Sequence, residues 1–295
     1  MDAGKTGSSN LHDGYAEVNG VRLHYVEQGE GPLLLFLHGF PEFWYGWKAL
    51  LPEFANDFRA VAVDMRGYNL SSMPEKLEAY QIPVLLEDVR ALAVELGAKK
   101  FVLAGHDWGG VIAWDFAAAH PEMLHKLVIL NAPHPTVFAR ELLNNPAQQK
   151  ASAYFNIFSS PAAEPLLSQD DFAILQRVVF AGAWANDEDH RKYLECWRRG
   201  LTGGLNYYRA AGLKSPIGGE KPEASHFLTP RNPITVPTLV IWGERDIALL
   251  TGNLDGLDKH VKNLKIQRLR EAGHFVVHEQ PAVVIRSMRQ FLQEA

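Results

Sequence analysis

The chain has 295 residues, of which 47% are hydrophobic and 21% charged, and its net charge is −5 with histidine neutral, ordinary values for a globular protein. No Lys/Arg block stands out, which argues against nucleic acid or an anionic membrane as a partner, and no stretch approaches the roughly 20 apolar residues of a membrane span. The single cysteine, Cys196, excludes an intrachain disulfide and a cysteine-based metal site, and it fits a reducing, cytoplasmic compartment.

In chain order, residues 1–10 are Gly/Ser-rich without an apolar core and read as a flexible tail rather than a signal peptide. Residues 15–18 and 21–26 read as strands joined by Asn19-Gly20, a strong hairpin signal. Leu33–Leu37 is an unbroken apolar run, suited to a central strand, and it ends in His38-Gly39-Phe40-Pro41-Glu42. Arg59–Val63 is another strand, followed by Asp64-Met65-Arg66-Gly67-Tyr68, where Asp64 and Arg66 suggest a loop ion pair or hydrogen-bonding unit. Leu85, Val89, Leu92 and Leu96 recur at helical spacing, and Gly97 suits the C-cap. Residues 101–104 form a buried-strand run that turns through Gly105-His106-Asp107-Trp108-Gly109 into a helix stopped at His120-Pro121. Residues 126–130 are a further strand.

The alternation breaks after Asn131-Ala132-Pro133-His134-Pro135. Residues 136–231 carry helical stretches and many aromatic residues but no clear strand, and Gly203-Gly204 reads as a bend between two of these helices. A loop-like Pro/Gly stretch runs from Ser215 to Pro233, and strands resume at 237–242 and Leu264–Leu269. The last helix starts near Pro281 and packs through Val284, Met288, Phe291 and Leu292. Length alone suggests about two domains. Strands alternating with helices imply instead one α/β core, a mostly parallel sheet with helices on both faces, interrupted by an insert. The division expected is a tail over 1–10, a core over 11–135 and 232–295, and a helical cap or lid over 136–231.

Residues 105–109 fit the pattern G-x-Nuc-x-G, in which small neighbours allow a sharp strand-to-helix turn with one side chain at its tip. The tip is Asp107, not Ser or Cys. A carboxylate nucleophile attacks alkyl carbon and leaves an ester on the enzyme, whereas the bland alternative is a Gly-rich turn with an N-cap aspartate. Loops at the carboxyl ends of parallel strands gather on one edge. Asp107, Asp246 and His274 all fall on such loops, in the order nucleophile, acid, histidine. Asp246 can fix the tautomer of His274 and stabilise its charged form.

From about Gly14 onward the chain resembles the α/β-hydrolase superfamily and, within it, the soluble epoxide hydrolases. His38-Gly39-Phe40-Pro41 resembles the HGxP oxyanion loop of that family, and Gly105-His106-Asp107-Trp108-Gly109 resembles its nucleophile elbow. The resemblance implies an α/β-hydrolase core, a cis Phe40–Pro41 peptide, and the backbone N–H groups of Phe40 and Trp108 as an oxyanion hole. It assigns the epoxide oxygen to two lid tyrosines. These are Tyr154, ahead of Phe158-Ser159-Ser160-Pro161, and Tyr208, within Asn206-Tyr207-Tyr208-Arg209; Ser159-Ser160 departs from the more usual polar-acidic pair. Candidate substrate-binding side chains are Trp108, Phe40, Phe155, Phe158 and Trp184. The implied reaction joins a small apolar epoxide and water into a vicinal diol with no metal or organic cofactor, and it leaves a homodimer open.

Three alternatives share the scaffold. Haloalkane dehalogenases also follow an elbow Asp with Trp, but their second halide donor is commonly an Asn at the Phe40 position or elsewhere near the pocket, and Phe40 has no side-chain donor. Haloacetate dehalogenases clamp a carboxylate with arginines just after the nucleophile, where this chain has Trp108 and Val111. A non-catalytic hydrolase-like binding protein is disfavoured by the joint presence of Asp107, Asp246, His274 and the tyrosines. His38 and His106 read as supports of the oxyanion loop and elbow, and Cys196 as a small buried hydrophobe.

Overall fold

The computed structural model describes residues 11–182, 184–216, 227, 229 and 231–294. The tail expected over 1–10 and part of the loop expected before Pro233 lie outside the described residues. At the start of the chain Asn19 and Gly20 take φ of 49° and 74°, the positive values a two-residue hairpin turn needs, and fold β1 (His12–Val18) back on β2 (Val21–Gln28). The next strands are β3 (Leu33–Leu37), then β4 (Arg59–Val63) after the short helix α1 (Leu51–Phe54). Helix α2 (Ile82–Glu95), ended by Gly97 at φ 79°, leads to β5 (Phe101–His106), helix α3 (Trp108–Ala119) and β6 (Leu124–Leu130).

Seven helices then follow among the described residues: α4 (Pro135–Asn144), α5 (Pro146–Ala151), α6 (Tyr154–Phe158), α7 (Ala163–Leu167), α8 (Gln169–Val179), α9 (Asp187–Trp197) and α10 (Thr202–Ala210). The first turn of α8 is left-handed, with Asp170, Asp171 and Phe172 at φ 48°, 53° and 65°. The chain closes with β7 (Thr238–Gly243), β8 (Leu264–Leu269), α11 (Val276–Glu279) and α12 (Pro281–Gln293).

The eight strands form one sheet in the order β1-β2-β4-β3-β5-β6-β7-β8. The β1/β2 and β2/β4 pairs are antiparallel and all others parallel. Every residue of β3, β5 and β7 is buried, as both-face coverage demands, whereas the edge strand β8 exposes its Lys265-Ile266-Gln267-Arg268 centre. Side chains alternate between two cores. Leu33, Leu35 and Leu37 join the larger one, with α2, α3 and much of the insert, while Leu34 and Phe36 join the smaller one with α1 and α12. No helix among the described residues is long and apolar enough to cross a membrane.

The insert is fastened to the sheet layer by specific contacts. Trp197 Nε1 donates to the Pro41 carbonyl at 2.7 Å, and the Tyr207 hydroxyl donates to the Arg66 carbonyl at 2.8 Å. Gly203 and Gly204 do not form the expected bend: both lie within the first turns of α10. A Cβ on Gly203 would sit 2.1 Å from the Gly67 carbonyl oxygen, so this position is small because the helix meets the core backbone there. Asp64 and Arg66 do not pair with each other either. Asp64 takes His24, the Trp44 amide and Asn69, while Arg66 makes a buried pair with Asp88 at 2.6 Å. Their side chains leave the loop toward different partners, which sequence proximity could not reveal.

Candidate active site

Because β3, β5, β6, β7 and β8 run parallel, their carboxyl ends deliver His38 to Phe40, Asp107, Asn131, Asp246 and His274 to one edge of the sheet. The Asp107 backbone sits at φ 50° and ψ −121°, a conformation that L-residues rarely take, between the end of β5 and the first residue of α3. Gly109 makes this turn possible. A Cβ there would lie 2.3 Å from the Leu37 carbonyl oxygen, so any other residue would push the elbow off the neighbouring strand.

His274 links the two acids. Its Nδ1 donates to Asp246 Oδ2 at 2.7 Å, and its Nε2 stands 3.6 Å from Asp107 Oδ2. Asp246 has no freedom left. Oδ2 also receives Asn131 Nδ2 at 2.8 Å, and Oδ1 receives the amides of Ala248 and Leu249 at 2.8 and 2.9 Å. All four acceptor directions of the carboxylate are filled, so the orientation of the imidazole is set. The Phe40 amide donates to Asp107 Oδ1 at 2.9 Å, and the Phe40–Pro41 peptide is cis. Trp108 begins α3 directly after the elbow.

Electrostatics follow from this geometry. Burial raises the Asp107 carboxyl, but hydrogen bonding and charge from His274, the His106 charge and the Phe40 amide outweigh it and leave the group below its ordinary value. Burial lowers His274, but Asp246 and Asp107 outweigh it and hold the imidazole well above its usual range. The resting pattern is therefore an imidazolium between two carboxylates.

The helical insert covers this edge. Tyr154 and Tyr208 line a small cavity with Asp107 and Trp108, and Val111, Pro133, Phe138, Phe155, Leu213, Phe227 and Leu249 complete its wall. Its volume is about 20 Å³. Burial and the Asp107 charge push both phenols well above the ordinary tyrosine value, so both keep their protons. Tyr208 is held edge-to-face by Trp108, Phe40 and Phe158 at ring separations of 5.1, 5.8 and 5.1 Å. Of the side chains expected to bind substrate, Trp108 and Phe155 line the cavity, and Phe40 and Phe158 pack on Tyr208 beside it. Trp184 stands apart, stacked on His278 at 3.8 Å and 8°.

Sequence reasoning missed two groups. Asn131 is fully buried at φ 37°, accepts the Gly243 amide at 2.8 Å and donates to Asp246. The signal was present, since Asn at a strand end tolerates positive φ. Glu42 is buried beneath the site among His106, His278 and Tyr193, and its only trace in the sequence is an acid between Pro41 and Phe43.

A protein family described as alpha/beta hydrolase fold matches residues 32–281. Epoxide hydrolase 4 of Homo sapiens is 36% identical over 290 residues, covering 94% of this chain and 77% of that protein. The AB hydrolase superfamily protein YfhM of Bacillus subtilis is 36% identical over 288 residues, covering 95% of this chain and 97% of that one. Among solved structures, an epoxide hydrolase from Bacillus megaterium in complex with an inhibitor superposes with a TM-score of 0.90 at 39% identity, over 95% of this chain and all of that one.

Proposed function

Because the chain belongs to the α/β-hydrolase family and, within it, to the epoxide hydrolases, we propose that it converts a small apolar epoxide into a vicinal diol through an alkyl ester on Asp107. The observation that carries this reading is a carboxylate at the elbow, facing His274 Nε2 at 3.6 Å and seated on the Phe40 amide at 2.9 Å. An Asp107 oxygen attacks one ring carbon, the ring C–O bond breaks, and the epoxide oxygen takes a proton from Tyr154 or Tyr208. Both phenols are kept protonated by burial and by the Asp107 charge, so each enters the step as a donor.

Ester formation removes the negative charge of Asp107. One of the two anions that hold the proton on His274 is then gone, and the imidazole releases it in balance for the proton lost by the phenol. Neutral His274, oriented by Asp246, takes a proton from water. The hydroxide attacks the ester carbonyl, and the amides of Phe40 and Trp108 hold the oxyanion. The diol departs with its second oxygen drawn from Asp107, and the resting charges return.

The apolar wall from Val111 to Leu249 supports a substrate with an apolar substituent. A cavity of about 20 Å³ has room for about one water. Among the described residues this cavity is too small for a substrate, so on this reading the helical insert or its aromatic side chains move on binding, as a lid would. The test is intact-protein mass spectrometry of His274→Ala. This variant should form the ester but not hydrolyse it, and so should gain one substrate mass. A substrate turned over by the wild type that leaves no adduct on this variant, even after rapid quenching, would overturn the covalent reading.

A further inference from the structure

Gln148 lies on α5, ahead of Tyr154, and is completely buried. Burying a primary amide is unfavourable unless its two hydrogens and its oxygen all find partners. Here each does. Nε2 donates to the Ala248 carbonyl at 2.8 Å and to the Ser152 hydroxyl at 2.9 Å. Oε1 accepts the Leu250 amide and Asn253 Nδ2, both at 2.9 Å. The Ala248 carbonyl can only accept and the Leu250 amide can only donate, so the amide group has a single possible orientation. Its hydrogen-bonding capacity is filled, and Ala248, Leu250 and Asn253 all belong to the loop that follows Asp246.

That loop needs a hold from outside. Ile247, directly after Asp246, is 82% exposed, so the loop has no apolar anchor at that point. The Ala248 and Leu249 amides nevertheless stay on Asp246 Oδ1, at 2.8 and 2.9 Å. Gln148 grips Ala248 on one side of Leu249 and Leu250 on the other. Leu249 can then keep its amide on Asp246 while its side chain closes the cavity wall. Farther along the loop, Arg140 of α4 donates to the Gly252 and Asp255 carbonyls at 2.8 and 2.6 Å. The remaining partner of Gln148 faces the other way. Ser152 is fully buried, and its carbonyl accepts the Phe155 amide at 3.1 Å in the first turn of α6, the helix that begins with Tyr154.

We propose that Gln148 is a positioning residue that fixes the catalytic acid and one phenol relative to each other: it clasps the loop on both sides of Leu249, keeping two amides on Asp246, and through Ser152 it seats the start of the helix that carries Tyr154. The roles of Asp246 and Tyr154 rest on the covalent reading above. Because Asp246 sets the His274 ring, loss of the clasp falls on the step in which His274 activates water, which is ester hydrolysis. Loss of the Ser152 bond alone falls on the step in which the phenols act, which is ester formation. A side chain that only stabilised the fold would change neither rate per folded molecule and would not divide them by step.

Rapid-quench mass spectrometry measures both steps per folded molecule. Gln148→Met keeps the length and the burial but removes all four hydrogen bonds. It should slow ester hydrolysis about tenfold, within the range that a misplaced group imposes, and ester formation less. Ser152→Ala keeps the clasp, and should slow ester formation severalfold with hydrolysis unchanged. Should Gln148→Met not fold, Gln148→Glu keeps the bonds from Leu250 and Asn253 but sets an acceptor against the Ala248 carbonyl, and should slow hydrolysis in the same way. Hydrogen exchange adds a readout that needs no substrate. The Ala248 and Leu249 amides should exchange about tenfold faster in either Gln148 variant, with the amides of β5 unchanged. Unchanged hydrolysis in the Gln148 variants, or exchange that stays the same at Ala248 and Leu249 or rises equally in β5, would overturn the clasp. Unchanged ester formation in Ser152→Ala would overturn the tie to Tyr154. Absence of any ester on His274→Ala would instead sink the covalent reading, and the exchange data would still decide whether Gln148 holds the loop.

Discussion

The sheet-edge half of the site and the helical half hold their groups by different means. At the edge, Asp246 receives four donors, two of them backbone amides, and Asp107 is fixed by an elbow backbone that Gly109 permits. In the helical half, Tyr154 and Tyr208 are set by rings, Tyr154 among Phe155, Phe158 and Tyr208, and Tyr208 against Phe40, Trp108 and Phe158. Directed hydrogen bonds at a strand end fix position to tenths of an ångström. Edge-to-face packing is softer and tolerates movement. On the mechanism proposed above, the groups that meet one atom at one angle are held by directed hydrogen bonds, and those that admit substrate are held by ring packing.

Substitutions should expose this difference. Asp246→Asn should be the most damaging, because its amide sets a donor against Asn131 Nδ2 and the His274 Nδ1 hydrogen in one orientation, and against the Ala248 and Leu249 amides in the other. A loss of about 10⁴-fold in kcat is expected by analogy with triad acids elsewhere. A much smaller loss, comparable with that of the tyrosine variants, would erase the contrast between the two halves. Tyr208→Phe and Tyr154→Phe should each cost about 10²-fold in epoxide opening, the usual scale for one lost donor to a developing oxyanion. Neither should slow hydrolysis of a simple ester as much. Equal losses in both reactions would make the phenols packing residues.

The smallest effect concerns the junction of the halves. His134 is buried, lies stacked on His260 at 4.9 Å and 18°, and precedes α4, the first helix of the insert. Burial, with the His260 and Arg231 charges adding, lowers its pKa to about 3. The folded value lies below the unfolded value of about 6.5, so the unfolded chain binds more protons between them. Stability from this residue is complete above the unfolded value and falls as pH drops toward 3. At pH 5 the loss should be about 2 kcal/mol. Urea unfolding at pH 7.5 and pH 5 should show this difference in the wild type and a smaller one in His134→Phe. Equal differences in the two proteins would mean that the junction does not bury a neutral imidazole.

Much of this was legible before any coordinates. Leu33–Leu37, Arg59–Val63 and Leu264–Leu269 are strands at the positions their patterns suggested, and Asn19-Gly20 is a hairpin turn. Asp107, Asp246 and His274 could be placed together because strand ends in a parallel sheet share an edge. Trp184 could not be placed. An aromatic residue in an insert has several faces to pack on, and this one lies on His278 instead of the cavity wall.

The amino-acid order on its own determined what repeats or turns locally: the apolar runs, the left-handed turn residues, and the presence of a carboxylate at a glycine-flanked elbow. Only the tertiary structure decided which of the twelve histidines meet carboxylates, and which acids support the site. Asn131 meets Asp246 across 115 residues, Tyr193 meets Glu42 across 151, and His278 meets Glu42 across 236. A buried polar group takes its charge from whatever the fold brings within about 3 Å of it, and no pattern along the chain encodes a neighbour that distant.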